Sequence, residues 1–296
     1  MKIIHNSKLR PIDLISIYFS LFSLILVIFF WDRIEKAFLH LFVFSAVVVF
    51  AYYIDPIYQK TQNKFIRVIR DWYSLPFILH LFEVSSDMNK IIFSDFVDPF
   101  FQNIDQIIFG YQPALIWGKV LDNYFWQELF HFAYFAYYLF ILLYVYFYIK
   151  DKQSHARYMF TLLFIFIFCT ITYYLLPVIG GRWWEIMENY RTLTIEYRYG
   201  IFTRIMAFIY RNTEHQGGAF PSSHVAITIG INLSAFNFNK LIGWLILPIT
   251  ILLTISTVHC HYHYFIDTIF GIIYGVVFYF WGNNFYNKLK VNQHNV

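Results

Sequence analysis

The chain has 296 residues, of which 59% are hydrophobic, 23% aromatic and only 14% charged. An average soluble domain carries roughly 25% charged residues, so this composition excludes an ordinary soluble domain and indicates a polytopic membrane protein. The net charge of +4 is modest, and the basic residues fall in short clusters between apolar runs, as topology signals do. We therefore expect membrane lipids, and not nucleic acid, as partners.

The first apolar run, Leu14 to Trp31, is about long enough to span a bilayer. Basic residues precede it, as in a signal peptide. The run ends in Trp31-Asp-Arg, however, with no small-residue cleavage site. We expect a retained first helix.

Seven apolar runs are long enough for a helix to cross the hydrocarbon core, at about 13–31, 36–54, 128–149, 157–178, 219–237, 241–258 and 263–283. An eighth, at about 71–84, is short and contains Pro76, which predicts either a half-span or a tilted, kinked crossing. The predicted fold class is an all-α polytopic transmembrane helical bundle with about 7–8 apolar segments.

Residues 91–108 differ from these runs. Phenylalanine and isoleucine recur there at helical spacing, and the other side of the helix carries Asp95, Asp98, Gln102 and Asp105. The pattern predicts an amphipathic helix with a kink at Pro99. The helix lies either in the membrane interface or packed on the protein itself, and the pattern fits both.

Basic residues also predict the orientation of the bundle. They cluster at the N-terminus, at 55–70, at 150–157 and in the tail, whereas 85–127 has two lysines against five acids. If 71–84 crosses, both termini are cytoplasmic and the 179–218 loop is outside. Five arginines lie in that loop, although basic residues are expected on the cytoplasmic side. Either the topology differs or those arginines have another role.

The stretch Ser256 to Asp267 is the first candidate site. On a helix His263 and Asp267 are four residues apart and share a face. A carboxylate there can accept the proton of one imidazole nitrogen and leave the other free to attack. An ordinary helix cap with a histidine and an aspartate fits this stretch alone equally well.

The second candidate site is Gly217-Gly-Ala-Phe-Pro-Ser-Ser-His224, which opens an apolar run. Serine and proline are favoured at helix starts, so the pattern predicts a loop that leads into a helix. Free backbone N–H groups at a helix start can bind a phosphate, and His224 lies just inside that start. Simple capping beside a buried histidine is the alternative.

Two other groups of polar residues are less specific. His259-x-His261-x-His263 has the residue type of a metal site, but alternate residues share a face on a strand, and the adjoining spans predict helix. We therefore expect no metal here. Glu128 and His131, three apart on one helix face, form either a structural pair or part of a substrate entrance.

Taken together, the two histidine stretches resemble the type 2 phosphatidic acid phosphatase superfamily, which includes vanadium haloperoxidases. Its signature runs Lys-x6-Arg-Pro, then Pro-Ser-Gly-His, then Ser-Arg-x5-His-x3-Asp. This chain has Pro221-Ser-Ser-His224 for the second part and Ser256-Thr-x5-His263-x3-Asp267 for the third. The first part keeps Arg182, but Leu175 replaces its lysine and Trp183 its proline.

These replacements resemble the branch that contains inositolphosphorylceramide synthases, as do Arg70-Asp-Trp-Tyr and Glu128-Leu-Phe-His131. The resemblance covers most of residues 70–283. It divides the chain into N-terminal membrane spans, 1–69, and a membrane catalytic domain with a six-helix core, 70–296.

The resemblance implies metal-independent phosphoryl transfer through a phosphohistidine, without a cofactor. In this scheme His263 is the nucleophile, Asp267 orients it, and His224 is the general acid that protonates the leaving group. Phosphoryl transfer depends mostly on positioning and on positive charge around the phosphate oxygens.

The phosphate oxygens are expected to be held by Ser222, Ser223 and Arg182. Further positive charge must replace the absent lysine and arginine, and an arginine can grip a phosphate with two parallel hydrogen bonds. The candidates in the same loop are Arg191, Arg198, Arg204 and Arg211. We favour Arg211, which closely precedes the second motif.

The sequence therefore predicts a lipid phosphate phosphatase with its site on the extracytoplasmic face. One alternative is transfer of a phosphorylated headgroup to a lipid alcohol, since only the acceptor differs. Alternatives of another class are a proton-coupled transporter and a non-catalytic binder of lipid phosphates. The lipid and the oligomeric state are left open.

Overall fold

The computed structural model describes residues 9–183, 200–212 and 215–294, and in these ranges its regular structure is helical, without a β-strand. The helices are α1 Pro11–Phe29, α2 Ala37–Lys60, α3 Lys64–Trp72, α4 Ser74–Met88, α5 Asp98–Phe109, α6 Pro113–Val120, α7 Tyr124–Leu139, α8 Ile141–Lys150, α9 Lys152–Leu175, α10 Ile201–Asn212, α11 Ser223–Phe238, α12 Lys240–His259 and α13 Phe265–His294. The predicted all-α fold class is confirmed.

Six helical segments of the described ranges are long and apolar enough to cross a membrane. They are Pro11–Phe29, Ala37–Asp55, Tyr124–Lys150, Lys152–Leu175, Lys240–His259 and Phe265–Val291. Each corresponds to a predicted apolar run, and the protein is a multi-pass membrane protein.

The predicted run at 71–84 forms α4, which has 15 residues. Before α4, Trp72 packs on His155 at the start of α9, with ring centroids 4.6 Å apart. Near the other end of α4, the Ser85 hydroxyl lies 2.9 Å from Nε2 of His215. The helix therefore connects the two ends of the bundle, which favours a crossing over a half-span.

Two predicted apolar segments differ in detail from the helices that they form. The first interruption is at Tyr73, between α3 and α4, because Pro76 has no N–H to donate to the carbonyl four residues earlier. The predicted run at 128–149 is divided at Phe140 into α7 and α8. It also begins earlier than expected, since the side chain of Asn123 accepts from the Trp126 N–H and caps α7.

The centre of the bundle is α9, which packs against α1, α4, α8, α11 and α13. In its most apolar stretch, 78% of α9 is buried inside the protein. Phe160, Phe164 and Phe168 follow one another at helical spacing on its surface, and Phe168 stacks on Phe278 of α13 with ring centroids 4.1 Å apart. Much of the unusual aromatic content therefore packs helices together.

The amphipathic segment is shorter than predicted. Helix α5 begins at Asp98, and Pro99 occupies its first turn, so this proline starts the helix and the predicted kink is wrong. The polar side faces the protein, because Asp98 and Asp105 are fully buried. The apolar side faces outward, with Phe100 and Ile107 exposed at 64% and 74%. A membrane interface suits that outer side.

A buried charge network joins the first helices at the end of the bundle that contains the α3–α4 break. Arg70 is fully buried and donates from both terminal nitrogens to the carboxylate of Asp13 in α1. The Tyr73 hydroxyl donates to the same carboxylate at 2.7 Å. Asp55 of α2 lies 3.8 Å from Arg70. Breaking such a pair leaves a buried charge unpaired.

We predict that Asp13→Ala destabilises the purified protein by about 3 kcal/mol or more, because Arg70 loses its main partner. Thermal unfolding in detergent measures the change. Asp32→Ala is the matched control, since Asp32 is exposed. Equal unfolding temperatures for Asp13→Ala and the control would show that this network does not hold the helices together.

Candidate active site

The two histidine stretches meet at the end of the bundle opposite the Arg70 network. The Ala219 N–H donates to the carbonyl of Val178 at 2.8 Å, which joins the loop after α9 to the loop before α11. The Ser222 N–H donates to the carbonyl of Asp267 at 3.0 Å, which joins the start of α11 to the start of α13. The fold thus places the second and third sequence motifs side by side.

His263 lies in the turn 260–264, outside the spanning helices and two residues before α13 begins. Its N–H donates to the carbonyl of Thr257 at 3.0 Å, and its side chain is 95% buried. Nδ1 lies 3.0 Å from the carbonyl oxygen of Ala219 and Nε2 lies 3.1 Å from the Ser222 hydroxyl. A carbonyl only accepts, so Nδ1 carries the proton and Nε2 has the free lone pair.

Asp267 occupies the first turn of α13 and is fully buried. Its Oδ2 accepts from the Tyr264 N–H at 2.9 Å and lies 3.6 Å from Nδ1 of His263. The hydrogen bond from Nδ1 therefore goes to the Ala219 carbonyl. Asp267, which the sequence predicted as the acceptor, lies beside this bond. At this distance a carboxylate still favours positive charge on the imidazole ring.

The charge state of His263 follows from its surroundings. Burial lowers the pKa of His263 to about 4, and the hydrogen bond to the Ala219 carbonyl acts in the opposite direction. At neutral pH the imidazole is therefore uncharged, and the lone pair on Nε2 is available.

His224 lies in the first turn of α11, as predicted, and faces His263 with ring centroids 6.3 Å apart. One bound group can contact both rings at this separation. Two tyrosines of α7 pack on the His224 ring, Tyr134 at 4.8 Å and Tyr137 at 4.5 Å between centroids. Helix α7 thus fixes where this imidazole stands.

Both imidazoles line a cavity of about 520 Å³. The wall also contains the backbone of residues 217–219 and the side chains of Arg182 and Arg211. Of the other candidate arginines, Arg204 is exposed on α10, outside this wall, and Arg191 and Arg198 lie outside the described residues. Positive charge therefore stands in the same cavity as the two histidines.

Arg182 is held by a stack of aromatic rings. Its guanidinium lies 4.4 Å from the centroid of the Tyr210 ring. Tyr210 stacks on Tyr262 at 4.2 Å, and its hydroxyl lies 2.6 Å from that of Tyr134. A guanidinium on an aromatic face is stabilised there and loses rotational freedom. The sequence motif predicted only the arginine. The aromatic rings that orient it come from other segments, and only the folded structure brings them together.

The two serines of the second motif differ in position. Ser222 caps α11, since its side chain accepts from the Val225 N–H, and its hydroxyl also faces Nε2 of His263. Ser223 is buried and does not line the cavity, and behind this loop the Tyr173 hydroxyl donates to the carbonyl of Pro221 at 2.9 Å. Of these two serines, Ser222 is therefore the one whose side chain lies beside Nε2 of His263.

The three alternating histidines have separate environments. His259 ends α12 and packs on Phe130, with ring centroids 4.2 Å apart. His261, at φ +62°, directs Nδ1 to the carbonyl of Ala114. Within the described residues no three His, Cys, Asp or Glu side chains are grouped as ligands for a metal ion.

Glu128 and His131 have separate partners. Glu128 accepts from the N–H groups of Gly200, Phe202 and Thr203 and so caps α10. Nδ1 of His131 donates to the carbonyl of Gln127 at 2.7 Å. Glu128 therefore positions the helix that carries Tyr210 and Arg211, which the sequence pattern did not indicate.

Asp98 joins the first motif to the third. Its carboxylate accepts from the N–H groups of Ile179 and Gly180 at 3.0–3.1 Å, in the loop that leads to Arg182. It also accepts from the Tyr264 hydroxyl at 2.9 Å, next to His263. Two turns later along α5, Asp105 accepts from the N–H groups of Phe265 and Ile266 and caps α13. The polar face of α5 thus holds both loops.

We predict that Asp98→Ala lowers the unfolding temperature of the purified protein by about 5 °C or more, because it leaves buried donors unpaired. Asp98→Asn keeps one acceptor oxygen and should lose less. Asp95→Asn is the matched control, since Asp95 is exposed in the same segment. An Asp98→Ala protein as stable as this control would mean that Asp98 does not hold the loops.

Comparison with known proteins agrees with this geometry. A PA-phosphatase related-family protein of Dictyostelium discoideum is 37% identical over 65 residues, which are 20% of this chain and 12% of that relative. No solved structure matches the chain significantly. The family model of the PAP2 superfamily matches residues 107–281, more than half of the chain and both histidine stretches. The protein belongs to the PAP2 superfamily.

Proposed function

We propose that this protein is a phosphatase of lipid phosphates that acts through a phosphohistidine without a metal ion. The observation that carries the proposal is the pair His263 and His224, which face each other across one cavity with Arg182 and Arg211 in its wall. Membership of the PAP2 superfamily supports phosphatase-type chemistry in general.

The first step forms the covalent intermediate. Nε2 of His263 gives its lone pair to phosphorus, and the bond between phosphorus and the lipid oxygen breaks. The departing oxygen takes the proton of the His224 imidazolium, which the negative phosphate stabilises before the reaction. Nδ1 keeps its proton through the bond to Ala219, and Asp267 offsets the positive charge that the phosphorylated ring gains.

The second step releases the product. A water molecule gives a proton to neutral His224, and its oxygen bonds to phosphorus as the bond from phosphorus to His263 breaks. Inorganic phosphate leaves, and both imidazoles return to their first protonation states. The same histidine thus acts as the acid and then as the base.

The phosphate oxygens need donors during both steps. Arg182 and Arg211 supply positive charge, and the start of α11, where His224 lines the cavity, supplies the partial positive charge of a helix N-terminus. The Ser222 hydroxyl, which donates to Nε2 of His263, can donate to a phosphate oxygen instead. Behind the loop, the Tyr173 hydroxyl donates to the carbonyl of Pro221 and supports the segment that carries Ser223.

The substrate is expected to enter from the lipid. Tyr138 of α7 lines the cavity and is 40% exposed, so that wall lies between the cavity and the surroundings of the bundle. A lipid can place its phosphate between the histidines and keep its tails in the bilayer. The distribution of basic residues favours the extracytoplasmic face for this end of the bundle.

We predict that purified protein releases phosphate from lipid phosphates in the presence of a chelator and that vanadate inhibits the release. His263→Ala and His224→Ala should each lower turnover on the order of a hundredfold or more, because each removes a group that takes part in bond making. His80→Ala on α4, outside the cavity, is the control.

Four outcomes of this assay would contradict the proposal. Loss of activity on chelation would indicate metal chemistry. Unchanged phosphate release by His263→Ala would show that this histidine is not the nucleophile. No phosphate release by the wild-type protein would favour a transporter or a binding protein. Products in which a phosphorylated headgroup is joined to an added lipid alcohol, with no free phosphate, would show that transfer is the reaction.

The low pKa of His263 predicts how the reaction depends on pH. Since this histidine is neutral above about pH 5, the acid limb of kcat/KM that it causes should lie near pH 4. The second ionisation of the lipid phosphate also shapes the pH profile of kcat/KM. Phosphorus NMR on the same vesicles measures that ionisation, and the profile is corrected for it first. A corrected acid limb near pH 6.5 would contradict a buried, uncharged nucleophile.

A further inference from the structure

An apolar groove lies on the side of α4 that faces away from the candidate active site. It has a volume of about 560 Å³, and its walls are α2 on one side and α3 with the first half of α4 on the other. His80 of α4 lines this groove, whereas Phe82 lines the cavity that contains His224 and His263. Residues two apart on a helix are rotated about 200° around its axis, so the groove and the cavity open on opposite sides of α4.

The groove has the length and the surface of an acyl-chain site. Val68 and His80 are the first and last residues of its α3–α4 wall, and a helix rises about 18 Å from one to the other, close to the depth of one leaflet of the hydrocarbon core. The lining is aliphatic or aromatic apart from His80, and Phe42 and Val68 are exposed at 63% and 44%. Lipid surrounds spanning helices at this depth, so an acyl chain is the molecule that the groove contacts.

Basic residues lie at the end of the groove that is next to the α2–α3 connection. Lys64 precedes Val68 by four residues and so lies one turn away on the same face of α3. Lys60 is the last residue of α2, and both lysines are exposed. The guanidinium of Arg67 lies 5.4 Å from the centroid of the Tyr58 ring on α2, which holds a third cation at this end.

The acids nearest to these lysines in the chain are paired with other groups. Residues 56 to 70 contain no acid, and the two carboxylates that flank this stretch have partners. Asp55 lies 3.8 Å from the buried guanidinium of Arg70, and Asp71 accepts from Arg10 at 2.6 Å. The lysines therefore give this end of the groove a positive charge, which attracts the anionic headgroups of a membrane leaflet.

We infer that this groove binds one anionic phospholipid from the leaflet at the Arg70 end of the bundle, with an acyl chain between α2 and α4 and the headgroup phosphate at Lys60 and Lys64. A lipid tail has equally apolar surroundings in the bilayer, so the groove holds the chain and the lysines select the headgroup. The site is separate from the cavity of the two histidines, and the inference does not rest on the proposed function. Its occupant is a lipid that stays bound and joins α2 to α3 and α4.

The test measures lipid binding to the purified, delipidated full-length protein by titration in native mass spectrometry. Anionic phosphatidylglycerol is compared with zwitterionic phosphatidylcholine of the same acyl chains. We expect one tightly bound phosphatidylglycerol per chain. Lys60→Gln and Lys64→Gln should each weaken its binding about fivefold and leave that of phosphatidylcholine unchanged. Lys240→Gln, which removes an exposed lysine at the start of α12, is the matched control and should bind both lipids as the wild-type protein does.

A second pair of variants tests the groove itself. Ala46→Phe fills the space between α2 and α4 and should abolish the tight binding of phosphatidylglycerol. Val49→Phe is the matched control, since Val49 is 56% exposed on α2 outside the lining. The lysine variants change exposed side chains only, so they decide the outcome even if Ala46→Phe does not fold.

Three results would overturn the inference. The first is equal affinity for the two lipids, and the second is unchanged binding of phosphatidylglycerol when both Lys60 and Lys64 are replaced by glutamine. The third is a dimer in detergent that Ala46→Phe separates into monomers, because a second copy of the chain would then cover the groove.

Discussion

The site depends on the contact between the start of α11 and the turn before α13. The Ala219 carbonyl accepts a hydrogen bond from Nδ1 of His263, and the Asp267 carbonyl accepts one from the Ser222 N–H. These two bonds bring residues more than forty positions apart to one place and choose which imidazole nitrogen is free. The cavity, the helix N-terminus and the second histidine are arranged around that nitrogen.

The remaining parts of the fold hold this contact in position. Helix α5 lies across the end of the bundle, and its two buried aspartates cap the loop before Arg182 and the start of α13. Glu128 caps α10, which supports Arg182 through the ring of Tyr210. The carboxylates of α5 and Glu128 thus accept hydrogen bonds from the backbone N–H groups of these loops and helix starts. The outward apolar face of α5 suits a membrane interface, so the bilayer itself can stabilise this arrangement.

The sequence predicted the parts that depend on local pattern. Apolar runs predicted the spanning helices, and the two motifs predicted that His224 and His263 belong to one site. Their neighbours could not be predicted, because Tyr210, Glu128 and Asp98 act through contacts between segments that no spacing rule connects. The orientation of the two faces of α5 could not be predicted either. Its periodicity was clear, but only the packed structure shows that the acidic side is the buried one.

The central claim is that the reaction passes through a phosphate bound to His263. It is tested most directly by mixing purified protein with a lipid labelled with ³²P in its phosphate, stopping the reaction rapidly in alkali and mapping the label by mass spectrometry. The account predicts an acid-labile, alkali-stable phosphoenzyme on His263 that is absent from His263→Ala. Label on another residue, or turnover of the lipid without any phosphoenzyme, would contradict it.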